Sequence, residues 1–434
     1  MSNSPFQEQS PVEVFNGPRG IYRVNAKLNP DDSFTQLVGI DDGWVDAFGR
    51  LRVSNTATLF EASFTYDLQP LIFEAVTASG GTAQQELSAA TLTVDGTVGS
   101  TAALQTYQYW PYEKGKSQLV KVTFVLGAAV AGVRRRVGYF DAADGFFLQQ
   151  DGDGLALVRR SSTTGTLTHT TVVQSQWNLD PLDGTGPSGI TLDPARAQIL
   201  VIDGQWLGVG RVRVGFNVDG ATYYVHEWLH ANRAPVAPYT RSFTLPVRYE
   251  VSTTVEGGIG TLHAICCDVE SEGGVDAPIG FNFGAATETD VSTSTTPTAV
   301  LSIRPAADFP ADGRTNRTFI VPGDISLLVG SQPCLVDIQY DPVLAGGTWT
   351  RANPNSAVEV GVGQTITTPG LIVDRLFVPS GSGNVRAAGG DSVTSQYPLT
   401  LDAAGLNPKA LTVVARTLSG TGTIRAAGGW REIR

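Results

Sequence analysis

The chain has 434 residues, a net charge of −11 and only 16% charged residues. That length allows two or three domains with ample core, and the acidic balance argues against nucleic acid as a partner, since its binders carry a basic excess. No apolar run reaches membrane-spanning length, so membrane insertion is not expected either.

A charge content below the roughly 25% of ordinary soluble domains suits a surface partly buried against partners. The three cysteines, adjacent Cys266 and Cys267 and distant Cys334, are neither a disulfide framework nor a zinc ribbon. They fit folding in a reducing cytosol. The opening "MSNSPFQEQSPVEVFNG" lacks a basic start followed by an apolar stretch, so no signal peptide is expected.

Residues 1–55 read as an extended N-terminal arm. Turn chemistry recurs in "NGPRG", "NPDD" and "DDG", and sparse apolar residues such as Ile21, Leu28, Leu37 and Trp44 need another surface to dock on. Residues 56–275 read as a string of short strands, among them "SQLVKVTFVLG", "GFFLQQDG", "GRVRVGFNVDG" and "GTLHAICCDVES". Turns are expected at Asp144-Gly145, Asp151 to Gly154, Asp203-Gly204 and Asp219-Gly220. Many short strands with regular turns predict a central jelly-roll-like antiparallel β-sandwich. Helical periodicity is nearly absent, and "LDPARAQ" (192–198) accounts for at most one turn. A Ser/Thr/Gly-rich stretch then marks a boundary near 276, and 276–434 reads as a smaller C-terminal β-sandwich of seven or eight strands. The fold class is therefore all-β.

One motif stands out against that background. In "YYVHEWLHANR" (223–233), His226, Glu227 and His230 spell H-E-x-x-H. Two histidines four apart share one zinc only on a helix, with the glutamate as general base. Here the preceding run is strand-like and turns at Asp219-Gly220. In a strand the two histidines stand about 13 Å apart, too far for one ion. No third ligand is evident, so no metal and no cofactor is expected.

Other motifs are weaker. The glycines of "GVGRVRVG" (208–215) precede a strand rather than the helix that a phosphate loop needs. The "DGDG" of 151–154 lacks the Glu and helices of an EF-hand, and "GPSGI" (186–190) is not a nucleophile elbow. Carboxylates are plentiful, but no pair is singled out for glycosidase work. Tyr107, Tyr109, Trp110 and Tyr112 cluster in "QTYQYWPYEKGKSQL". They could stack sugar rings, anchor a subunit interface or line a sheet face.

Several segments, including "DAFGRLRVSN" (46–55), "YEKGKSQLVKVTFVLG" (112–127), "QWNLDPLDGTGPSGITLD" (176–193), "YYVHEWLHAN" (223–232) and "ICCDVESEGG" (265–274), resemble a family of virion structural proteins of tailed bacteriophages. The C-terminal "NRTFIVPGDISLLV" and "GTWTRANPNSAVEV" resemble the β-domain that often follows. The resemblance implies a fibre, tail or head-appendage component, folded and assembled in the bacterial cytoplasm. It implies a homotrimer contacting other virion proteins (capsid, tail or adaptor) and a host surface glycan, with no catalytic residues and no turnover. The alternative is a virion-associated carbohydrate-binding or polysaccharide-degrading protein, a depolymerase. Native mass spectrometry separates the readings: a metal-free closed oligomer is expected. A monomer carrying one zinc, lost in His226→Ala, would overturn that.

Overall fold

The computed structural model describes the backbone of residues 11–17, 20–28, 34–36, 46–48, 56–233, 236–274, 280–381, 385–387 and 397–434. Strands β1 (Pro11–Gly17), β2 (Gly20–Leu28) and β3 (Phe34–Gln36) form a small antiparallel sheet. The rest of the expected 1–55 arm, apart from 46–48, lies outside the described residues, as does the expected boundary at 276.

The first sandwich is built from β4 (Thr56–Ser63), β5 (Phe73–Ala78), β6 (Thr82–Glu86), β7 (Ala89–Gly96), β8 (Thr101–Thr106), β9 (Ser117–Val125), β10 (Val133–Phe140), β11 (Gly145–Asp151) and β12 (Gly154–Ser161). It continues with β13 (Thr168–Val173), β14 (Gln198–Gly204), β15 (Val212–Val218), β16 (Ala221–Trp228), β17 (Val247–Thr253) and β18 (Gly258–Glu272). One sheet has seven strands in the order β13-β12-β11-β10-β17-β8-β5. The other has eight, β16-β15-β14-β9-β18-β7-β6, with β4 on the free end of β18. All pairings are antiparallel, as hairpin-linked strands allow.

Period-two alternation decides which side chains enter the space between the sheets. In β17, Val247, Tyr249 and Val251 are buried while Arg248, Glu250 and Ser252 face out. The same rhythm brings Val137, Tyr139, Phe146 and Leu157 from one sheet against Val120, Val122, Phe124 and Phe216 from the other, in one core. Each such side chain contributes about 1.5–3 kcal/mol by leaving water.

Two turn expectations divide here. Asp219 (φ 53°) and Gly220 (φ 81°) form the tight turn between β15 and β16. Asp203-Gly204 instead ends β14 without turning there. Gly204 is needed for space: a Cβ on it would sit 2.1 Å from the Phe243 ring.

The second sandwich has its own core around Leu327, Val336, Val413 and Trp430. A five-stranded sheet centres on Phe319–Val329 and Gly422–Ile433, and a six-stranded sheet on Thr298–Pro305, Leu411–Thr417 and Cys334–Tyr340. A two-stranded sheet adds Val343–Ala345 and Thr365–Thr368. This exceeds the expected seven or eight strands because several are only three to five residues long. The sandwiches meet along 107–114. Arg317 lies 4.4 Å over the Tyr109 ring and Lys409 4.8 Å over Tyr107, while Thr400 Oγ1 donates to the Tyr107 carbonyl at 3.1 Å.

The outer face of the eight-stranded sheet holds a fully buried ion pair. Arg213 Nη2 is 2.6 Å from Asp203, and neither side chain has exposed area. Ser117 Oγ and Tyr224 OH also donate to Asp203, at 2.7 and 2.9 Å. Residues 46–48 cross this region: Ala47 N–H donates to Ser117 Oγ and Arg211 Nε to the Ala47 carbonyl. Asp203→Ala strands a buried guanidinium, so a loss of about 3–5 kcal/mol is expected in urea denaturation.

Candidate functional site

The H-E-x-x-H segment runs off the end of a strand. His226 and Glu227 lie in β16 and His230 just beyond it, so the helix that would converge the two rings on one ion is missing. Both rings are engaged elsewhere. Asn178 N–H donates to His226 Nδ1 at 3.2 Å, and His226 meets Trp228 edge-on at 4.7 Å. His230 stacks on Tyr239 at 3.8 Å, accepts from Arg159 at Nε2 and donates from Nδ1 to the Gly210 carbonyl. Glu227 pairs with Arg211 at 3.6 Å. Among the described residues no cluster of three or more metal-donor side chains occurs.

The four clustered aromatics do not form one platform. Trp110 is in the core, stacked on Phe60 at 4.5 Å. Tyr112 packs edge-on against Trp206 and Phe243. Tyr107 and Tyr109 meet the second sandwich, so the interface they anchor is within the chain. A cleft of about 400 Å³ opens there, lined by Tyr109, Tyr112, Asp141, Asp144, Arg241 and Phe309 among others. Its rings are already capped by cations, Tyr109 by Arg317 and Phe309 by Arg434. Its carboxylates are saturated too. Asp141 accepts from Tyr109 OH and from the N–H groups of Ala143 and Asp144. Asp144 accepts from Arg241 and Ser162. This cleft joins two domains rather than presenting free reactive groups.

A different arrangement occurs on the outer face of the eight-stranded sheet. In β18 the run Asp268-Val269-Glu270 turns Val269 into the core and both acids outward. Lys121 of β9 is directly opposite Asp268. Its Nζ is 3.0 Å from Asp268 Oδ2 and 3.0 Å from Glu270 Oε1. Two oxygens that close to one nitrogen are at most about 6 Å apart, and the side chains remain partly open to solvent. Glu61 of β4 is Asp268's partner on the other side. Burial pushes the Asp268 carboxyl up to about 6; Lys121 opposes that shift and neighbouring Glu270 adds to it. Lys121 is itself held above the usual lysine range: burial lowers it, and the bonds to Asp268 and Glu270 outweigh that. Sequence reasoning missed these three residues. The signal was present as acids at period two in "CCDVESE", but a half-buried strand shows the same alternation without a site.

No protein-family model and no curated protein matches the chain. Solved structures are similar over about half of the chain. A glycosyl hydrolase family protein from Mycobacterium fortuitum is 11% identical, with a TM-score of 0.35 over 49% of this chain and 99% of that one. A Bacillus licheniformis β-glucanase is 10% identical, with a TM-score of 0.32 over 50% and 98%. A transglycosylase solved in complex with NAG is 16% identical, with a TM-score of 0.30 over 50% and 86%. The all-β, jelly-roll-like sandwich expected from the sequence is the fold of the described residues. Against the expectation of no turnover, these similar structures are a glycosyl hydrolase family protein, a β-glucanase and a transglycosylase.

The histidines yield a pH test. Burial lowers both His226 and His230 to about 4. The unfolded chain, with its imidazoles near 6.5, therefore binds protons first on acidification. This contribution is full above about pH 6.5 and is lost towards pH 4, on the order of 1–3 kcal/mol per histidine. Urea midpoints at pH 7 and pH 4.5 should differ less in a His226→Gln, His230→Gln double variant than in the parent.

Proposed function

We propose that the chain acts on polysaccharide, with Asp268 and Glu270 as the working carboxylates. The observation that carries this is their placement on the outer face of one sheet, partly open to solvent and at most about 6 Å apart, with Asp268 raised to about 6. Glycosidic cleavage needs one carboxyl that still holds a proton and a second that acts as a carboxylate. In this reading Asp268 gives its proton to the glycosidic oxygen as the bond to the anomeric carbon breaks. Glu270 bonds to that carbon, and water activated by Asp268 then releases the sugar. Two carboxyl groups this close suit the two-step, retaining course, since the inverting one needs about 6.5–9.5 Å between them. Lys121 positions both acids and is displaced towards one of them as substrate enters.

The proposal adopts the setting implied by the sequence resemblance: an appendage of a tailed-phage particle, oligomeric and exposed to the polysaccharide of a host surface. Mass spectrometry of purified particles should find the chain among their proteins.

Cleavage is tested by reducing-end release from a panel of bacterial and algal polysaccharides. Asp268→Asn and Glu270→Gln should each lower the rate by about 10²–10⁴-fold, with melting temperature unchanged. The rate should fall as pH rises through about 6, where Asp268 loses its proton. Parent and variants equal in rate would remove these two residues from the reaction.

A further inference from the structure

Strand register carries the outer face from Asp268 to the last strand of the eight-stranded sheet. Asp268 stands opposite Lys121, Lys121 opposite Val201, Val201 opposite Gly215 and Gly215 opposite Tyr224. Residues directly opposite one another share a face, so this row stays on the outer side. The next row on that face lies two residues further along each strand. It runs Ser63, Cys266, Thr123, Ile199, Asn217, Thr222. Ser63 is exposed and the other five are half-buried. None is charged. Cys266 Sγ lies 3.3 Å from Thr123 Oγ1, and Asn217 Nδ2 lies 3.4 Å from Thr222 Oγ1.

Both rows end at a cavity of about 370 Å³, walled on one side by Thr222, Tyr223 and Tyr224 of β16. Its other wall is a loop carrying Leu179, Asp180, Pro187 and Ser188, so the "GPSGI" run that is no nucleophile elbow has a place here. The loop is fixed to the sheet edge. The N–H groups of Leu179 and Asp180 donate to the Val225 carbonyl at 3.0 and 3.2 Å. The Asn178 amide brackets Glu227, donating to its carbonyl and accepting from its N–H. The Asp180 carboxylate accepts from the N–H groups of Leu182 and Ser188, each at 2.9 Å. A cavity of this size, with rings and hydroxyls on preset walls, has the dimensions of a ligand pocket. From β18 to β16 is four strand spacings, roughly 19 Å. The acids, the uncharged row and the cavity therefore lie in line on one face, which suits a polymer. Hydroxyl and amide groups in the row match sugar hydroxyls, and the row holds no cation for an acidic sugar.

We propose that this row and cavity are the binding path of a neutral polysaccharide, the cavity holding a sugar several units away from the bond that Asp268 and Glu270 cleave. The link to cleavage rests on the proposed function; the alignment of row and cavity does not.

The test uses the full chain in affinity electrophoresis through dextran, galactomannan, mixed-linkage β-glucan and polygalacturonate, with reducing-end release measured on the polymer that retards it most. A neutral polymer should retard the parent, and polygalacturonate should do so less. Ala221→Trp, at an exposed position lining the cavity, puts an indole into it and should weaken retardation about tenfold or more. Thr222→Val keeps the β-branched shape, removes the hydroxyl and should weaken retardation severalfold at unchanged melting temperature. In cleavage, both should raise KM more than they lower kcat. Asp268→Asn should lose cleavage and keep retardation. Undiminished retardation of both cavity variants would overturn the inference and leave cleavage by Asp268 and Glu270 standing. Weakened retardation of both, in a chain that releases no reducing ends, would uphold the glycan path and remove the cleavage. Strongest retardation by polygalacturonate, or none by any polymer, would overturn the inference.

Discussion

A two-sheet sandwich can bury only one face of each sheet, and this constraint governs the rest of the molecule. Alternation sends every second residue of β9, β10, β17 and β18 into a shared apolar core. The residues between them must face outward, where long polar side chains cover the sheet from above. The two outer faces solve this in different ways. One carries Glu61, Asp268 and Glu270 around Lys121. The other interleaves arginines with Glu250 over two phenylalanines.

The acidic face also shows how packing sets chemistry. Three side chains from two strands share one small region because Lys121 and Asp268 are paired in register. Confinement raises Asp268, and the single lysine cannot fully neutralise two acids. A slip of one residue in β18 would turn both acids into the core and the whole arrangement would be lost. The chemistry thus rests on register, and register rests on the apolar partners Val269, Cys267 and Val120.

The contact between the sandwiches has a different character. Its rings are covered by arginine and lysine from the second sandwich, and its acids are held by turns and hydroxyls. Tyr109 illustrates the point. Burial raises its hydroxyl well above the usual range, and it donates to Asp141 under the Arg317 guanidinium. Residue types that serve saccharide stacking elsewhere here hold two domains of one chain together.

Sequence alone determined the all-β class and the strand periodicity that begins at residue 56, because alternation and turn residues are local properties. It also indicated that "VHEWLH" would end a strand, since Asp219-Gly220 and the β-branched run before it are hairpin chemistry. It did not determine that Asp203-Gly204 ends a strand rather than turning the chain, because the reason is the Phe243 ring some forty residues away. Nor did it separate Trp110, a core residue, from Tyr109, a domain contact, although they are neighbours in the chain. Above all, nothing local marks Asp268 and Glu270 among forty-one acidic residues. Only the pairing of β18 with β9 brings Lys121 between them, and only burial on that face raises Asp268. Alternation assigns a side chain to a face, but strand pairing and burial decide what it meets there.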